Sequence, residues 1–153
     1  MGGSLASFAL GLAVLTSGKP VFVSLGGLLP PAGGILLRVD DLAAVFLVLL
    51  GIGAVPAALY GAGYTKGLDA GRAARLGATF NAFLLALALV IMAAGTLTFL
   101  VAWELMSLTS YFLVISESER EDTLIAGRWY LAMTHVSLGL VMAAFLLLLG
   151  GRS

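Results

Sequence analysis

A glutamate lies inside an apolar segment that is long enough to cross a bilayer as a helix. The segment 97–115 has no other charged residue, and Glu104 is several residues from either end. A charge at that depth is costly, so such a residue normally faces a protein interior or a water path. We therefore interpret Glu104 as a proton-transfer site. The competing interpretation is a structural carboxyl that hydrogen-bonds to neighbouring helices.

Helical spacing places hydroxyl groups on the same face as this carboxyl. Glu104, Ser107, Leu108 and Tyr111 follow one another at i, i+3, i+4 and i+7, so they share one side of the predicted helix. We interpret Ser107 and Tyr111 as possible support for water or for hydrogen bonds around Glu104. Taken singly, each hydroxyl is also typical of ordinary contacts between membrane helices.

A histidine lies well inside another apolar segment. His135 is eight residues into the predicted span 127–149, about 12 Å from its start at the helical rise. A neutral imidazole can relay a proton, because one nitrogen donates while the other accepts. A packing histidine explains the residue equally well, and both interpretations stay open. Thr134 beside it is a further candidate for water or hydrogen-bond support.

Other kinds of site find no support in the sequence. There is no cysteine, which excludes disulfides and thiolate metal sites. The pairs Gly26-Gly27 and Gly33-Gly34 lack the strand–helix context of a phosphate-binding loop. No nucleotide-binding motif, catalytic triad or cluster of metal ligands occurs, so we expect no metal, no cofactor and no catalytic site in this chain. The formal net charge of zero gives no indication of nucleic-acid binding.

The composition is that of a membrane protein. Of 153 residues, 61% are hydrophobic and only 10% are charged, whereas a soluble domain carries about a quarter charged residues. Many of the 20 glycines lie inside apolar runs, which suits close packing of helices in a bilayer. We predict an all-α, polytopic membrane protein. A single transmembrane bundle would cover 1–153 with five spans at about 4–17, 40–63, 79–95, 97–116 and 127–149.

The connections between the spans carry their own signals. Two short β-prone runs, 21–25 and 35–39, flank a Pro/Gly-rich turn and predict an extended hairpin on the membrane surface. Asp40 and Asp41 stand where a helix N-terminus favours carboxylates. The polar segment 64–78 is predicted to be a loop.

The basic residues predict an orientation in the cell (inner) membrane. Five spans place alternate loops on opposite sides, with five basic residues on one side and three on the other. By the positive-inside rule, the side with five basic residues is predicted to face the cytoplasm. It would hold the N-terminus and the loop 64–78, with the hairpin outside. The five are Lys66, Arg72, Arg75, Arg120 and Arg128, and the three are Lys19, Arg38 and Arg152.

The run from Ala102 to Val114, with its Trp103-Glu104 pair and the Ser/Tyr pattern that follows, resembles a known family. These are the antiporter-like proton-translocating subunits of respiratory complex I (NADH-quinone oxidoreductase), Mrp-type antiporters and membrane-bound hydrogenases. Within the family the sequence looks most like hydrogenase-4 component B. The likeness covers about 35–149. Weaker supporting stretches are 38–40, 58–64, 80–83 and 130–135.

The resemblance implies that Glu104 matches a buried glutamate whose protonation is coupled to redox chemistry in partner subunits. It also implies that His135 stands where hydrogenase-type members have histidine. Family members have about fourteen helices and a lysine that pairs with this glutamate two helices later. This chain lacks that lysine, so we expect it to be a fragment of a longer subunit, a split gene product or the product of a truncated reading frame. The cation that pairs with Glu104 would then come from another chain.

Two hypotheses about function follow. The first is a part of a proton-translocating subunit of an oxidoreductase complex, with other membrane subunits as partners and Glu104 and His135 transferring the proton. The second is a non-conducting scaffold or assembly segment that only packs against its partners. The resemblance leaves open which redox complex is served and whether the ion is a proton or sodium.

Overall fold

The computed structural model is mostly helical and describes residues 2–26, 34–116 and 121–150. Its helices are α1 (Gly2–Ser17), α2 (Asp41–Tyr64), α3 (Ala70–Met92), α4 (Thr96–Ile115) and α5 (Glu121–Gly150). Two strands, β1 (Val21–Leu25) and β2 (Ile35–Val39), lie between α1 and α2, and a single 3₁₀ turn at Thr65–Gly67 follows α2.

Four helices within the described residues are long and apolar enough to cross a membrane. They are Asp41–Gly67, which includes the 3₁₀ turn, and Ala70–Met92, Thr96–Ile115 and Ile125–Leu148. The apolar helix α1 has 16 residues and is therefore about 24 Å long, shorter than these four. The predicted membrane character and helical class are thus confirmed, while the fifth span stays a prediction.

The predicted hairpin is present as a small antiparallel sheet. Val21 pairs with Val39 at one end of the ladder and Leu25 with Ile35 at the other. The predicted Pro/Gly turn lies outside the described residues. Arg38 packs over the ring of Phe22 at 5.1 Å, and its Nε lies 3.5 Å from Asp40 Oδ2. These contacts join the sheet to the start of α2.

The sheet is fixed to the connection between α3 and α4. The Ala94 N–H donates to the Leu36 carbonyl at 2.9 Å, and the Leu36 N–H donates to Oγ1 of the buried Thr98 at 3.0 Å. Leu37 and Ala93 form an isolated β-bridge. The hairpin and the α3–α4 turn therefore lie at the same end of the bundle, and the 3₁₀ turn and the end of α4 lie at the opposite end.

Helix starts follow local capping. Asp40 caps α2, since its Oδ1 accepts from the Ala43 N–H at 3.0 Å, as predicted for the acidic pair. Asp69 caps α3 in the same way through the Arg72 N–H. The prediction of a loop over 64–78 is therefore wrong for its second half. The cap at Asp69 and the good helix formers after it begin α3 at Ala70, nine residues before the predicted span.

The core of the bundle lies near the hairpin end. It consists of buried apolar residues from α1, β2, α2 and α3, which are Val14, Val39, Ala43, Ala44, Leu47 and Ala88. Helices α1 and α2 approach closely because glycines face the partner helix. A Cβ on Gly51 would stand 2.5 Å from Phe8 Cβ, and one on Gly11 would stand 2.6 Å from the Ala44 carbonyl oxygen.

Candidate functional site

The candidate site lies between α4 and α5, which pack antiparallel. Phe99 and Phe145 meet edge to face at 5.9 Å near one end of the pair. Towards the other end, Tyr130 donates a hydrogen bond from its hydroxyl to Ser110 Oγ at 2.9 Å. A residue early in α4 therefore faces one late in α5, and the middle of each helix faces the middle of the other.

This register brings Glu104 and His135 together. Oε1 of Glu104 lies 2.9 Å from Nε2 of His135, and the two side chains are 28% and 48% exposed, respectively. The contact is as short as a good hydrogen bond. We call this pair the Glu104–His135 dyad. The family resemblance implies a cationic partner for Glu104 from another chain, whereas here a histidine of the same chain contacts Oε1.

The other ring nitrogen determines which tautomer His135 adopts. Nδ1 lies 2.8 Å from the backbone carbonyl oxygen of Leu131, one turn earlier on α5. A carbonyl oxygen only accepts hydrogen bonds, so Nδ1 carries a hydrogen in this arrangement. In a neutral imidazole Nε2 then has only a lone pair, and it faces the carboxyl.

The dyad therefore holds one hydrogen between Oε1 and Nε2. A carboxylate facing the lone pair of a neutral imidazole would set two acceptors 2.9 Å apart, which is repulsive. The contact is attractive either when glutamic acid donates to imidazole or when imidazolium donates to carboxylate. Moving the hydrogen from one atom to the other converts the first form into the second.

The three predicted supporting residues have different surroundings. Ser107 is 3% exposed, and its Oγ has no hydrogen-bond partner among the described residues. The Tyr111 ring packs edge to face on Phe112 and would contact a Cβ placed on Gly127. Thr134 donates back to the Leu131 carbonyl at 2.9 Å. Ser107 alone of the three presents a buried, unpartnered hydroxyl beside the dyad.

One polar contact of this interface was missed in the sequence. The sequence indicates only a membrane-interface anchor at Tyr130, yet its hydroxyl bonds Ser110. The spacing of residues along the two helices does indicate this contact. Ser110 follows Glu104 by six residues and Tyr130 precedes His135 by five. Antiparallel helices that bring Glu104 and His135 together therefore also bring Ser110 and Tyr130 together.

A cleft of about 210 Å³ lies between α4 and α5, and neither Glu104 nor His135 lines it. We call it the α4–α5 cleft. Its lining residues are Trp103, Met106, Ser107, Tyr130, Met133, Thr134 and Ser137. In the part of the chain that the structure describes, no three His, Cys, Asp or Glu side chains come together as metal ligands. The site offers a carboxyl, an imidazole and hydroxyls, which are groups that exchange protons.

The four apolar helices define the chain as a multi-pass membrane protein. No protein-family model matches it. Over 139 residues, 91% of its length, it is 34% identical to an uncharacterized protein of Mycobacterium tuberculosis, of which it covers 21%. Over 112 residues, 73% of its length, it is 31% identical to hydrogenase-4 component B of Escherichia coli, of which it covers 16%.

The chain thus spans about a fifth of the length of the curated relatives it matches. The second similarity supports the resemblance to hydrogenase-4 component B that the Trp103-Glu104 segment indicated. Together with the apolar helices it supports a hydrogenase-like membrane subunit.

Proposed function

We propose that this chain is part of a proton-translocating membrane subunit of a hydrogenase-4-like or complex I-like assembly. Glu104 and His135 hold and transfer the proton, and redox chemistry in partner subunits drives its movement. The chain itself carries no catalytic redox site in this proposal. Its partners are other membrane subunits of the same complex.

The contact between Glu104 and His135 is the observation that carries the proposal. It brings two titratable side chains in the middle of α4 and α5 to 2.9 Å of each other, a distance at which one hydrogen can pass between them. A structural carboxyl needs only donors around it. A proton carrier needs a partner that can take the hydrogen and return it, and imidazole can do both.

The membrane arrangement completes the proposal. All five helices cross the inner membrane, with α1 as a short first span against α2. The basic residues Lys66, Arg72, Arg75 and Arg128 lie at the end that holds the 3₁₀ turn, against Lys19 and Arg38 at the hairpin end. This distribution supports a cytoplasmic N-terminus and an external hairpin.

Replacing Glu104 tests the proposal directly. Glu104→Gln keeps the size of the side chain and its hydrogen bonding but removes the exchangeable carboxyl hydrogen. In membrane vesicles that contain the assembled complex, we expect redox-driven proton uptake to fall about tenfold or more, since the step loses its acid–base group. The measurement is the quenching of a pH-sensitive dye per electron transferred.

Thr109→Val is the matched control on the same helix. Thr109 is buried and bonds only backbone carbonyls of its own helix among the contacts described, Leu105 and Met106, so proton uptake should stay at the wild-type level. Undiminished uptake in Glu104→Gln would overturn the proposal. If that variant assembled normally and pumped normally, while deletion of α5 prevented assembly, the chain would be a non-conducting scaffold segment instead.

A further inference from the structure

A pocket of about 440 Å³ lies at the hairpin end of the bundle, between the sheet and the adjoining ends of α2 and α3. We call it the hairpin pocket. Phe22 and Leu36 of the sheet and Ile91 of α3 give it an apolar wall, while Arg38 and Asp40 give it two opposite charges. Ligand pockets typically measure about 300–1,000 Å³, so this pocket has the size and the mixed lining of a site for an amphipathic molecule.

The hairpin pocket lies where two apolar spans end. The span of α2 starts one residue after Asp40, and that of α3 ends one residue after Ile91. In a bilayer such span ends lie at the boundary between the hydrocarbon and the headgroups. Beside them the strand β1 is exposed at all five positions, which include the apolar Phe22 and Val23. Charged and apolar walls therefore meet at the depth where a phospholipid changes from headgroup to acyl chain.

The guanidinium group of Arg38 is only partly used by the protein. It packs over the ring of Phe22 at 5.1 Å, and its Nε lies 3.5 Å from Asp40 Oδ2. That distance is longer than the roughly 2.7–2.9 Å of a charge-assisted hydrogen bond, and a half-exposed ion pair of this kind contributes little. Among the described residues the two Nη groups of Arg38 have no partner. Together they form a fork that matches two oxygens of a phosphate.

Asp40 supplies the opposite charge in the same pocket. Its Oδ1 accepts from the Ala43 N–H, whereas Oδ2 has only the long contact with Arg38 among the described residues. A carboxylate oxygen accepts more than one hydrogen bond, so Oδ2 can also accept from an ammonium group. The C-terminal end of α3, which lines the pocket at Ile91, carries a partial negative charge and adds to the attraction for a cation.

We propose that the hairpin pocket binds one phospholipid whose headgroup carries both a phosphate and an ammonium group. The Nη groups of Arg38 donate to the phosphate, Asp40 Oδ2 accepts from the ammonium, and the first part of the acyl chains lies against Phe22 and Ile91. A free phosphate would be repelled by Asp40 and would leave the apolar wall uncovered, so the source of the phosphate is a lipid. This inference goes beyond the proposed function and does not depend on it.

Lipid retention by the purified full chain tests the proposal. The chain is exchanged into detergent that contains equal amounts of phosphatidylethanolamine and phosphatidylglycerol, and native mass spectrometry counts the bound lipid. We expect one retained phosphatidylethanolamine per chain, because phosphatidylglycerol offers the phosphate without the ammonium. Attraction by positive charge alone would favour phosphatidylglycerol, and that result would overturn the proposal. Soluble glycerophosphoethanolamine has the headgroup without acyl chains and should not compete. Competition by it would show that the apolar wall takes no part.

Substitutions at the two charged residues separate their roles. Arg38→Gln removes the fork and should lower retention of phosphatidylethanolamine about tenfold or more. Asp40→Asn still caps α2, since asparagine caps a helix as well as aspartate does, and should remove the preference for phosphatidylethanolamine over phosphatidylglycerol. Lys19→Gln is the matched control, because it removes one positive charge close to the hairpin but from a residue that does not line the pocket. An equal loss of retention in Lys19→Gln and Arg38→Gln would contradict a specific site.

Two further measurements keep the proposal testable if Arg38→Gln folds poorly. Arg38→Lys keeps the positive charge but not the fork, so it should retain less phosphatidylethanolamine than the wild-type chain. Retention at the wild-type level would refute the two-oxygen contact. The lipid should also stay bound in the assembled complex. Its loss on assembly would assign the pocket to a partner subunit and overturn the proposal.

Discussion

His135 holds its hydrogens in a way that restricts the path of a proton. Nδ1 donates to the Leu131 carbonyl, so only Nε2 exchanges a hydrogen with Glu104 in this conformation. A relay that takes up a proton at one nitrogen and releases it at the other would first have to break the bond to Leu131. Within the proposed function, the ring would therefore hold the proton, and Glu104 would be the group through which the proton arrives and leaves.

Replacing His135 separates its role in stability from its role in proton transfer. His135→Phe leaves Oε1 of Glu104 without its hydrogen-bond partner and should lower the free energy of unfolding by about 1–3 kcal/mol. His135→Gln offers an amide donor instead and should lower it less. Neither side chain takes up a proton, so both variants should reduce proton uptake about tenfold or more.

Unfolding in mixed micelles and proton uptake in vesicles measure the two effects. Val136→Ala, at the next and exposed position of α5, is the control and should leave uptake unchanged. Wild-type uptake in His135→Gln would show that the imidazole only positions Glu104.

The residues of the dyad could be predicted from the sequence, but their contact could not. Glu104 and His135 stand out because ionisable side chains are rare within apolar spans. Their distance depends on the register of α4 against α5, which the interlocking of Phe99 with Phe145 and the close approach at Gly127 set. Helical periodicity places a residue on a face of its own helix. It gives no information about how far the neighbouring helix is shifted along the common axis.

At the scale of the elements, one glycine allows α4 and α5 to approach at the end beyond the dyad. A Cβ on Gly127 would stand 2.9 Å from Ile115 Cγ2 and 3.2 Å from Tyr111 Cε2. A Cβ on Gly139, further along the same helix, would meet nothing within 4 Å. The two positions thus form a matched pair in which only one faces the partner helix.

Alanine at these two positions should have opposite effects. Gly139→Ala should stabilise the protein by about 0.5–1 kcal/mol, because alanine favours the helix. Gly127→Ala should destabilise it by about 1–3 kcal/mol, because the methyl group overpacks the interface, and should weaken the Tyr130–Ser110 hydrogen bond. Unfolding in mixed micelles measures both, and equal stabilisation by the two would show that α4 and α5 do not pack at Gly127.

The elements themselves were predictable to different degrees. The hairpin strands and the start of α2 followed from β-branched runs and the acidic cap, and both are present. The predicted start of α3 is wrong, because the charged residues of the segment 64–78 were interpreted as a loop signal. Arg72 and Arg75 are good helix formers, and their charges lie on a part of α3 that continues beyond the apolar span.

At the scale of the molecule, the two ends of the bundle differ. The hairpin end has the buried core and the fixed sheet. The opposite end has the 3₁₀ turn, the Ser110–Tyr130 contact and most of the basic residues of the described part. Much of the surface between the ends is exposed and apolar, as at Met133, Val136 and Leu140 of α5, which suits contact with lipid or with other membrane subunits.

The orientation of the whole bundle can be measured with single cysteines, since the chain has none of its own. Ser24→Cys lies on β1, and Gly67→Cys and Ser116→Cys lie at the opposite end. All three positions are exposed and uncharged, so the charge balance that sets the orientation is unchanged. In intact cells or right-side-out vesicles, a membrane-impermeant maleimide should label Ser24→Cys and leave the other two unlabelled. Inverted vesicles should give the reverse pattern. Labelling of all three from one side would contradict an odd number of crossings between the hairpin and the 3₁₀ turn, and with it the proposed orientation.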